Sequence, residues 1–94
     1  MFEVKLVAPD RLRLEGRLDA AQAPRLQSAL AGLSASCVIE CDDLEYISSA
    51  GLGVLLAAYK RLSASGHTIR LVGMRKLVRD VFRYSRMDTI FQVE

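Results

Sequence analysis

The chain has 94 residues, of which 51% are hydrophobic and 26% are charged, and its formal net charge is +2 at pH 7. This length leaves room for one hydrophobic core, so we expect a single domain over residues 1–94, and the hydrophobic fraction excludes disorder of the whole chain. The 13 basic and 11 acidic side chains nearly cancel, which argues against a general nucleic-acid-binding protein. No apolar run approaches the roughly 20 residues that cross a bilayer, so we expect no membrane insertion and a cytoplasmic location.

Two segments near the start alternate apolar and polar residues with the period of a half-buried strand. They are residues 2–7 and 11–17, and the turn signal Ala8-Pro9-Asp10 separates them. The sequence therefore predicts an antiparallel hairpin.

A helix and a buried strand are predicted next. Leucines recur at helical spacing at positions 26, 30 and 33, and Pro24 is tolerated only in a first turn, so the helix begins between residues 21 and 23 and ends near Gly32. Residues 36–41 form a short apolar run typical of a central strand, and residues 42–45 are interpreted as an acidic loop.

The rest of the chain predicts two further helices and one or two strands. The second helix, residues 49–65, carries an apolar stripe and stops before Gly66; its stripe consists of Leu52, Leu55, Leu56, Tyr59 and Leu62. A strand over 68–72 precedes a third helix over 75–85, whose apolar face consists of Leu77, Val78, Val81 and Phe82. Residues 90–93 are a candidate last strand. The predicted fold is α/β, a small mixed sheet of four to five strands packed against helices in the order β-β-α-β-α-β-α(-β).

The cysteines and the histidine give no sign of an enzyme. Cys37 and Cys41 fall on one face of the predicted strand at a separation too long for a disulfide, so we expect reduced thiols near the core. His67, the only histidine, follows a helix end and is interpreted as a solvated turn residue. Without paired carboxylates or metal-ligand spacing, we expect no enzyme activity, cofactor or metal.

The most informative segment is the start of the second helix, where two serines precede two glycines. Neither Ser48 nor Ser49 fits the apolar stripe of the helix, so either serine is free to act as the N-cap or to stay exposed. Gly51 and Gly53 are each unfavourable in a helix by roughly 1 kcal/mol, which indicates that another group approaches closely there. A phosphoryl group on Ser49 would add a dianion that the helix N-terminus tolerates and an apolar partner does not. The lone G-x-G fragment lacks the rest of any nucleotide-binding motif.

The chain resembles the STAS domain family, the fold of bacterial anti-sigma factor antagonists (anti-anti-sigma factors). The strongest match is residues 46–56, which read YISSAGLGVLL, and the others are Gly16-x-Leu18-Asp19, residues 38–40, Asp43-Leu44, and residues 66–73 and 78–82. The resemblance implies a non-enzymatic protein that binds an anti-sigma factor, a serine kinase with a GHKL-type ATPase fold. Phosphorylation of a serine ends that interaction and a PP2C-type phosphatase restores it.

Carried onto this sequence, the resemblance implies that Ser49 is the phosphorylated residue, with Ser48 as the lesser candidate. Asp19 matches the family's acidic residue near the acceptor and is equally interpretable as an N-cap. The residues expected to contact the partner are Asp19, Asp43, Tyr46, Ser48, Ser49, Ala50, Gly51, Leu52 and Gly53. The alternative function is a STAS subunit of a transporter or stress-signalling assembly that docks without a phosphorylation cycle.

A basic stripe on the predicted third helix is open to several interpretations. Its arginines recur at helical spacing with Lys76 beside them; they are Arg75, Arg79, Arg83 and Arg86. The simplest interpretation is a solvated face, and an acidic protein, anionic lipid or nucleic acid are the other candidates.

Overall fold

The structure, a computed structural model, describes residues 1–94. Five strands lie in one sheet: β1 (Phe2–Ala8), β2 (Arg11–Leu18), β3 (Cys37–Ile47), β4 (Ile69–Val72) and β5 (Gln92–Val93). Three α-helices connect them: α1 (Ala23–Ala31), α2 (Ser49–Ser63) and α3 (Lys76–Tyr84), the last followed by a 3-10 helix at Met87–Thr89.

The strands are ordered β1-β2-β3-β4-β5 across the sheet. β1 and β2 pair antiparallel as a hairpin, and every later neighbour pairs parallel. Parallel neighbours need a crossover, and α1, α2 and α3 supply one each. The predicted mixed sheet with a parallel later part is confirmed, as is the candidate strand near the end of the chain.

The core lies on one face of the sheet. The buried residues of the strands alternate, as with Leu12 and Leu14 of β2 or Ile69 and Leu71 of β4, and they join the buried residues of all three helices in one cluster. The other face is open and carries charged side chains. At its centre the side chains of Arg11 and Arg13 both donate to the Glu40 carboxylate, and these charge-assisted hydrogen bonds lower the pKa of Glu40 and raise that of Arg13.

The predicted acidic loop over residues 42–45 is wrong, because β3 continues through it to Ile47. The pairing of β2 with β3 shifts by one residue between Arg13 and Glu15 and again between Gly16 and Arg17, so β3 contains two bulges. Each bulge inserts an extra residue, and the buried positions therefore change spacing after Cys41 to Leu44 and Ile47. Because the alternation of buried and exposed residues is interrupted, residues 42–47 do not show the period of two that indicates a strand.

The apolar face of α3 is narrower than predicted. Val78 and Phe82 are four residues apart on the helix face that packs against the sheet, and both are buried. Leu77 lies outside that face, and its side chain is 63% exposed. The four arginines also fail to share one helix face. Arg75 precedes α3 and donates to the Asp42 carbonyl oxygen at 2.8 Å, and Arg86 follows the helix with a left-handed φ of 64°.

Both cysteines are free and buried, as predicted. Burial raises the pKa of the Cys37 thiol, and it raises the pKa of the Cys41 thiol to about 12. Neither α2, the longest helix at 15 residues, nor any other helix has the length and apolar character that crossing a bilayer requires.

Candidate functional site at the start of helix α2

The site lies where two parallel strands end side by side. Leu18, the last residue of β2, is paired with Ile47, the last residue of β3. The backbone N–H of Ser48 donates to the carbonyl oxygen of Leu18 at 2.9 Å, so the two strand ends are joined directly before α2 begins. Asp19 directly follows β2 and Ser48 directly follows β3, so both residues lie at the carboxyl ends of these two strands.

The two serines have different roles in the structure. Ser48 is the N-cap of α2: its backbone is extended, and its Oγ accepts a hydrogen bond from the backbone N–H of Gly51 at 3.2 Å. Ser49 is the first helical residue, is exposed, and makes no side-chain hydrogen bond within the chain. Either serine could have been the cap from the sequence, and the structure assigns the cap to Ser48 and leaves the Ser49 hydroxyl free.

The two glycines also differ. Gly51 is buried, and a Cβ atom there would lie 2.8 Å from Cγ of Leu18 and 3.0 Å from Cγ1 of Ile47. Gly51 therefore allows the first turn of α2 to rest on the ends of β2 and β3. Gly53 is exposed, and a Cβ atom there would have no neighbour within 4 Å. Packing inside the chain explains the first glycine and gives no reason for the second.

Small residues extend the site along one face of α2. Ser49, Gly53 and Ala57 are exposed and recur every four residues, so they lie one above another. Val54 and Ala57 line a shallow groove between α1 and α2. Arg61 closes that groove where α1 ends, since its guanidinium donates to the carbonyl oxygens of Leu30 at 2.7 Å and Leu33 at 2.8 Å. This role of Arg61 was not predictable from the sequence, because it depends on where the two helices meet.

The start of α2 itself favours an anion. The first turn of α2 contains no acidic side chain, and the N-terminus of a helix carries a partial positive charge with free N–H donors. Asp19, the acidic residue expected beside the site, is half-buried, and its Oδ1 accepts a hydrogen bond from the backbone N–H of Gln22 at 3.1 Å, ahead of α1. Asp19 therefore stabilises the turn before α1, and its interpretation as the N-cap is wrong, because the N-cap of α1 is Gln22.

The remaining expected contact residues lie in four different surroundings. Ala50 is exposed beside Ser49, while Gly51 and Leu52 are buried and support the site from within, Leu52 being only 7% exposed. Tyr46 is half-buried on β3. Asp43 lies further back on β3, where its carboxylate is 3.9 Å from Arg75, so it belongs to the start of α3 and not to the serine site.

Arg17 is a neighbour of the site that the sequence did not reveal. Its guanidinium lies over the ring of Tyr46, 4.4 Å from the ring centroid, and the two residues are paired across β2 and β3. Their contact depends on the second bulge of β3, which moves Tyr46 opposite Arg17. This contact could be predicted only if the register between β2 and β3 were known.

Comparisons with known proteins agree with this fold. The family model described as "Mlab, STAS domain" matches residues 2–93. A putative anti-sigma factor antagonist of Bordetella bronchiseptica, BtrV, is 34% identical over 84 residues, which cover 85% of this chain and 72% of that protein. The chain therefore belongs to the STAS domain family and is similar to an anti-sigma factor antagonist within it.

Two solved structures show the same fold at lower identity. An anti-sigma factor antagonist from Mycobacterium paratuberculosis superimposes with a TM-score of 0.81 at 22% identity, covering 99% of this chain and 83% of that one. The Bacillus cell fate determinant SpoIIAA in the phosphorylated form superimposes with a TM-score of 0.71 at 18% identity, covering 100% of this chain and 91% of that one.

Proposed function

We propose that this chain is an anti-sigma factor antagonist whose binding to a serine kinase is switched by phosphorylation of Ser49. In the unmodified form it binds the kinase, an anti-sigma factor with a GHKL-type ATPase fold, in the cytoplasm. The kinase transfers a phosphoryl group from ATP to Ser49, which ends the interaction, and a PP2C-type phosphatase removes it. The chain itself is a binding module and catalyses nothing.

One observation carries this proposal: Ser49 has a free, exposed hydroxyl, while the adjacent Ser48 hydroxyl is engaged as the N-cap. In the transfer, the Ser49 Oγ forms a bond to the γ-phosphorus of ATP, ADP leaves, and the hydroxyl proton passes to a base of the kinase. Ser49 can react in this way without breaking a hydrogen bond of its own chain. Ser48 would first have to release Gly51.

The switch acts through charge at a docking surface and needs no refolding. A phosphoserine adds about −1.5 to −2 charges at pH 7. At the first position of α2 the helix dipole stabilises such a charge by about 0.3–1 kcal/mol. The surface formed by Ser49, Ala50, Gly53 and Ala57 is otherwise small and uncharged, so a partner that packs closely against it would have to bury the dianion. A penalty of about 3 kcal/mol lowers affinity more than a hundredfold.

The names of two similar proteins support the proposal. BtrV, the relative at 34% identity, is named a putative anti-sigma factor antagonist. SpoIIAA, which shares the fold, exists in a phosphorylated form. These two proteins make the switch the first mechanism to test in this chain.

The test measures affinity for a purified GHKL-type anti-sigma kinase by calorimetry, using the chain and three variants. Ser49→Ala should bind as the unmodified chain does, and Ser49→Asp should bind at least tenfold more weakly because it places a charge in the docking surface. Ser63→Asp is the matched control, since it makes the same charge change at the exposed far end of α2 and should keep the affinity. Equal affinities for Ser49→Ala and Ser49→Asp would refute the charge switch.

A second candidate function is a subunit that docks through the same surface without phosphate turnover. The observation that favours it is Gly53, whose missing side chain is explained by close approach of any partner, whether or not that partner is a kinase. Gly53→Gln should then abolish binding to the transporter or signalling assembly, while Ser49→Ala and Ser49→Asp bind equally. The kinase-switch proposal requires Ser49→Asp to differ.

A further inference from the structure

The outer edge of β1 is an unpaired strand edge with a definite hydrogen-bonding pattern. The backbone N–H of Arg17 donates to the carbonyl oxygen of Met1 at 2.9 Å, so Met1 faces β2. Because successive residues of a strand face opposite edges, the N–H and C=O groups of Phe2, Val4 and Leu6 point away from the sheet. These groups form a template for one more strand.

The regular part of this edge is five residues long and has Val4 at its centre. The pairing of β1 with β2 is regular from Phe2 to Leu6 and then shifts by one residue at Val7, which ends the regular edge. A second strand that pairs antiparallel along the whole of residues 2–6 is therefore centred on Val4. If that strand is the same segment of another copy, Val4 lies opposite Val4 and Glu3 lies opposite Lys5.

On the open face, the charged residues of β1 lie directly opposite residues of β2 with the same charge. Glu3 lies directly opposite Glu15 of β2, and Lys5 lies directly opposite Arg13. Like charges directly opposite each other are destabilising. Ion pairs with other residues partly offset them, since Lys5 lies 3.1 Å from Glu15, Glu3 lies 3.9 Å from Arg25, and Arg13 lies 2.9 Å from Glu40. A second copy centred on Val4 would give Glu3 a lysine and Lys5 a glutamate as new neighbours.

Other registers do not place Glu3 opposite Lys5. The residues whose backbone groups point to the free edge, Phe2, Val4 and Leu6, must pair with each other, so every alternative register shifts the second copy by two residues. One shift places Lys5 opposite Lys5 and the other places Glu3 opposite Glu3. Charge and hydrogen bonding therefore select the same register as the bulge at Val7.

We propose that two copies of this chain associate through β1, antiparallel and centred on Val4, to form a continuous ten-stranded sheet about a two-fold axis. The occupant of the edge is a second copy because the pattern of charges is complementary to itself. On the helix side, each Leu6, which is 67% exposed in one copy, lies opposite Phe2 of the other, and Val4 lies opposite Val4. Association would cover the largest exposed aliphatic side chain of the sheet.

Arg25 of α1 is compatible with this pairing. Its guanidinium donates to the outward carbonyl oxygen of Phe2 at 2.7 Å and lies 3.9 Å from Glu3. A carbonyl oxygen has two lone pairs, so Phe2 can accept from Arg25 and from the backbone N–H of Leu6 in the second copy. The surface around Ser49 does not take part, so the association is independent of the proposed phosphorylation switch.

The test is a charge swap followed by sedimentation equilibrium over a range of concentrations. The unchanged chain should approach twice its mass of 10.4 kDa as concentration rises. Lys5→Glu and Glu3→Lys should each raise the dimer dissociation constant at least tenfold, because each places like charges opposite across the two-fold axis. The double variant Glu3→Lys with Lys5→Glu restores opposite charges and should return the dissociation constant to within about threefold of the original.

Two features of the test separate association from folding. Each single reversal gains an opposite charge directly across on β2, where it faces Glu15 or Arg13, and loses one ion pair, with Arg25 or with Glu15. These changes oppose each other, so circular dichroism should show monomers that are fully folded. Lys60→Glu, an equal charge change on the exposed side of α2, should leave the dissociation constant unchanged. A chain that stays monomeric at every concentration overturns the proposal. A dimer that the single reversals leave intact, or that the double variant fails to restore, overturns it as well.

Discussion

The Oγ of Ser48 accepts a hydrogen bond from the backbone N–H of Gly51 at 3.2 Å, and this contact separates the roles of two adjacent serines. It satisfies one of the N–H groups that the start of α2 would otherwise leave unpaired. The Ser48 hydroxyl therefore stabilises the start of α2, whereas the Ser49 hydroxyl is available to a partner.

The first prediction concerns the free energy of unfolding of the two serine variants. Ser48→Ala should lose about 1 kcal/mol, because the cap is removed, and Ser49→Ala should change stability by less than about 0.5 kcal/mol. Urea denaturation of both variants measures this difference. Equal losses would mean that Ser49 shares the capping role.

The second prediction compares the two glycines of α2. Gly51→Ala should destabilise the fold by about 1–3 kcal/mol, because the new methyl group would lie 2.8 Å from the Leu18 side chain and force it to move. Gly53→Ala should stabilise the fold by about 0.4–1 kcal/mol, because the site is open and alanine is the better helix former. Thermal unfolding of the pair provides the measurement, and a loss at Gly53 equal to that at Gly51 would contradict the structure.

Elements with a clean period were predictable from the sequence. The alternation in residues 2–7 and 11–17 defined the β1–β2 hairpin, and the leucine stripe defined α2, because one buried face dominates each of these segments. The position of the serine site followed from the same patterns, since a capping residue marks the start of α2.

Features that depend on register were not predictable. The two bulges of β3 place Asp42 and Asp43 in a strand where their composition suggested a loop, and they bring Tyr46 opposite Arg17. The assignment of the cap to Ser48 depends on backbone angles that adjacent serines do not reveal. The exposure of Leu77 depends on the direction from which the sheet meets α3.

The third prediction concerns the reactivity of the two thiols. Thiolate is the reactive form, and burial raises the pKa of both thiols, that of Cys41 to about 12. Iodoacetamide at pH 8 should therefore label neither Cys37 nor Cys41 in the folded chain, and it should label both in guanidinium chloride. Mass spectrometry of the intact chain counts the labels. Rapid labelling of the folded chain would show that this strand is accessible.

The fourth prediction concerns Glu40. Hydrogen bonds lower the pKa of its carboxyl, the larger effect coming from Arg11 and the smaller from Arg13. A carboxyl with a lowered pKa in the folded state stabilises the fold above its unfolded pKa, and this contribution is lost as pH falls through the folded pKa. Glu40→Gln removes the charge at every pH. The stability difference between the two chains should therefore be largest near pH 7 and should shrink below about pH 4.

Urea midpoints measured from pH 7 to pH 3 follow this difference. Glu94 and Asp80 also have lowered pKa values, caused mainly by Arg70 and Lys76 respectively, but they are common to both chains and cancel in the comparison. A difference that stays constant over the whole pH range would show that the two arginines do not interact with Glu40 through its charge.

In the proposed switch, a kinase modifies the free hydroxyl of Ser49. To test this, the chain is incubated with a GHKL-type anti-sigma kinase and ATP, with Ser49→Ala and Ser48→Ala in parallel, and the phosphate is located by tandem mass spectrometry. We predict one phosphate, on Ser49, that persists in Ser48→Ala and disappears in Ser49→Ala. Phosphate on Ser48, or phosphate that survives in Ser49→Ala, would contradict the account.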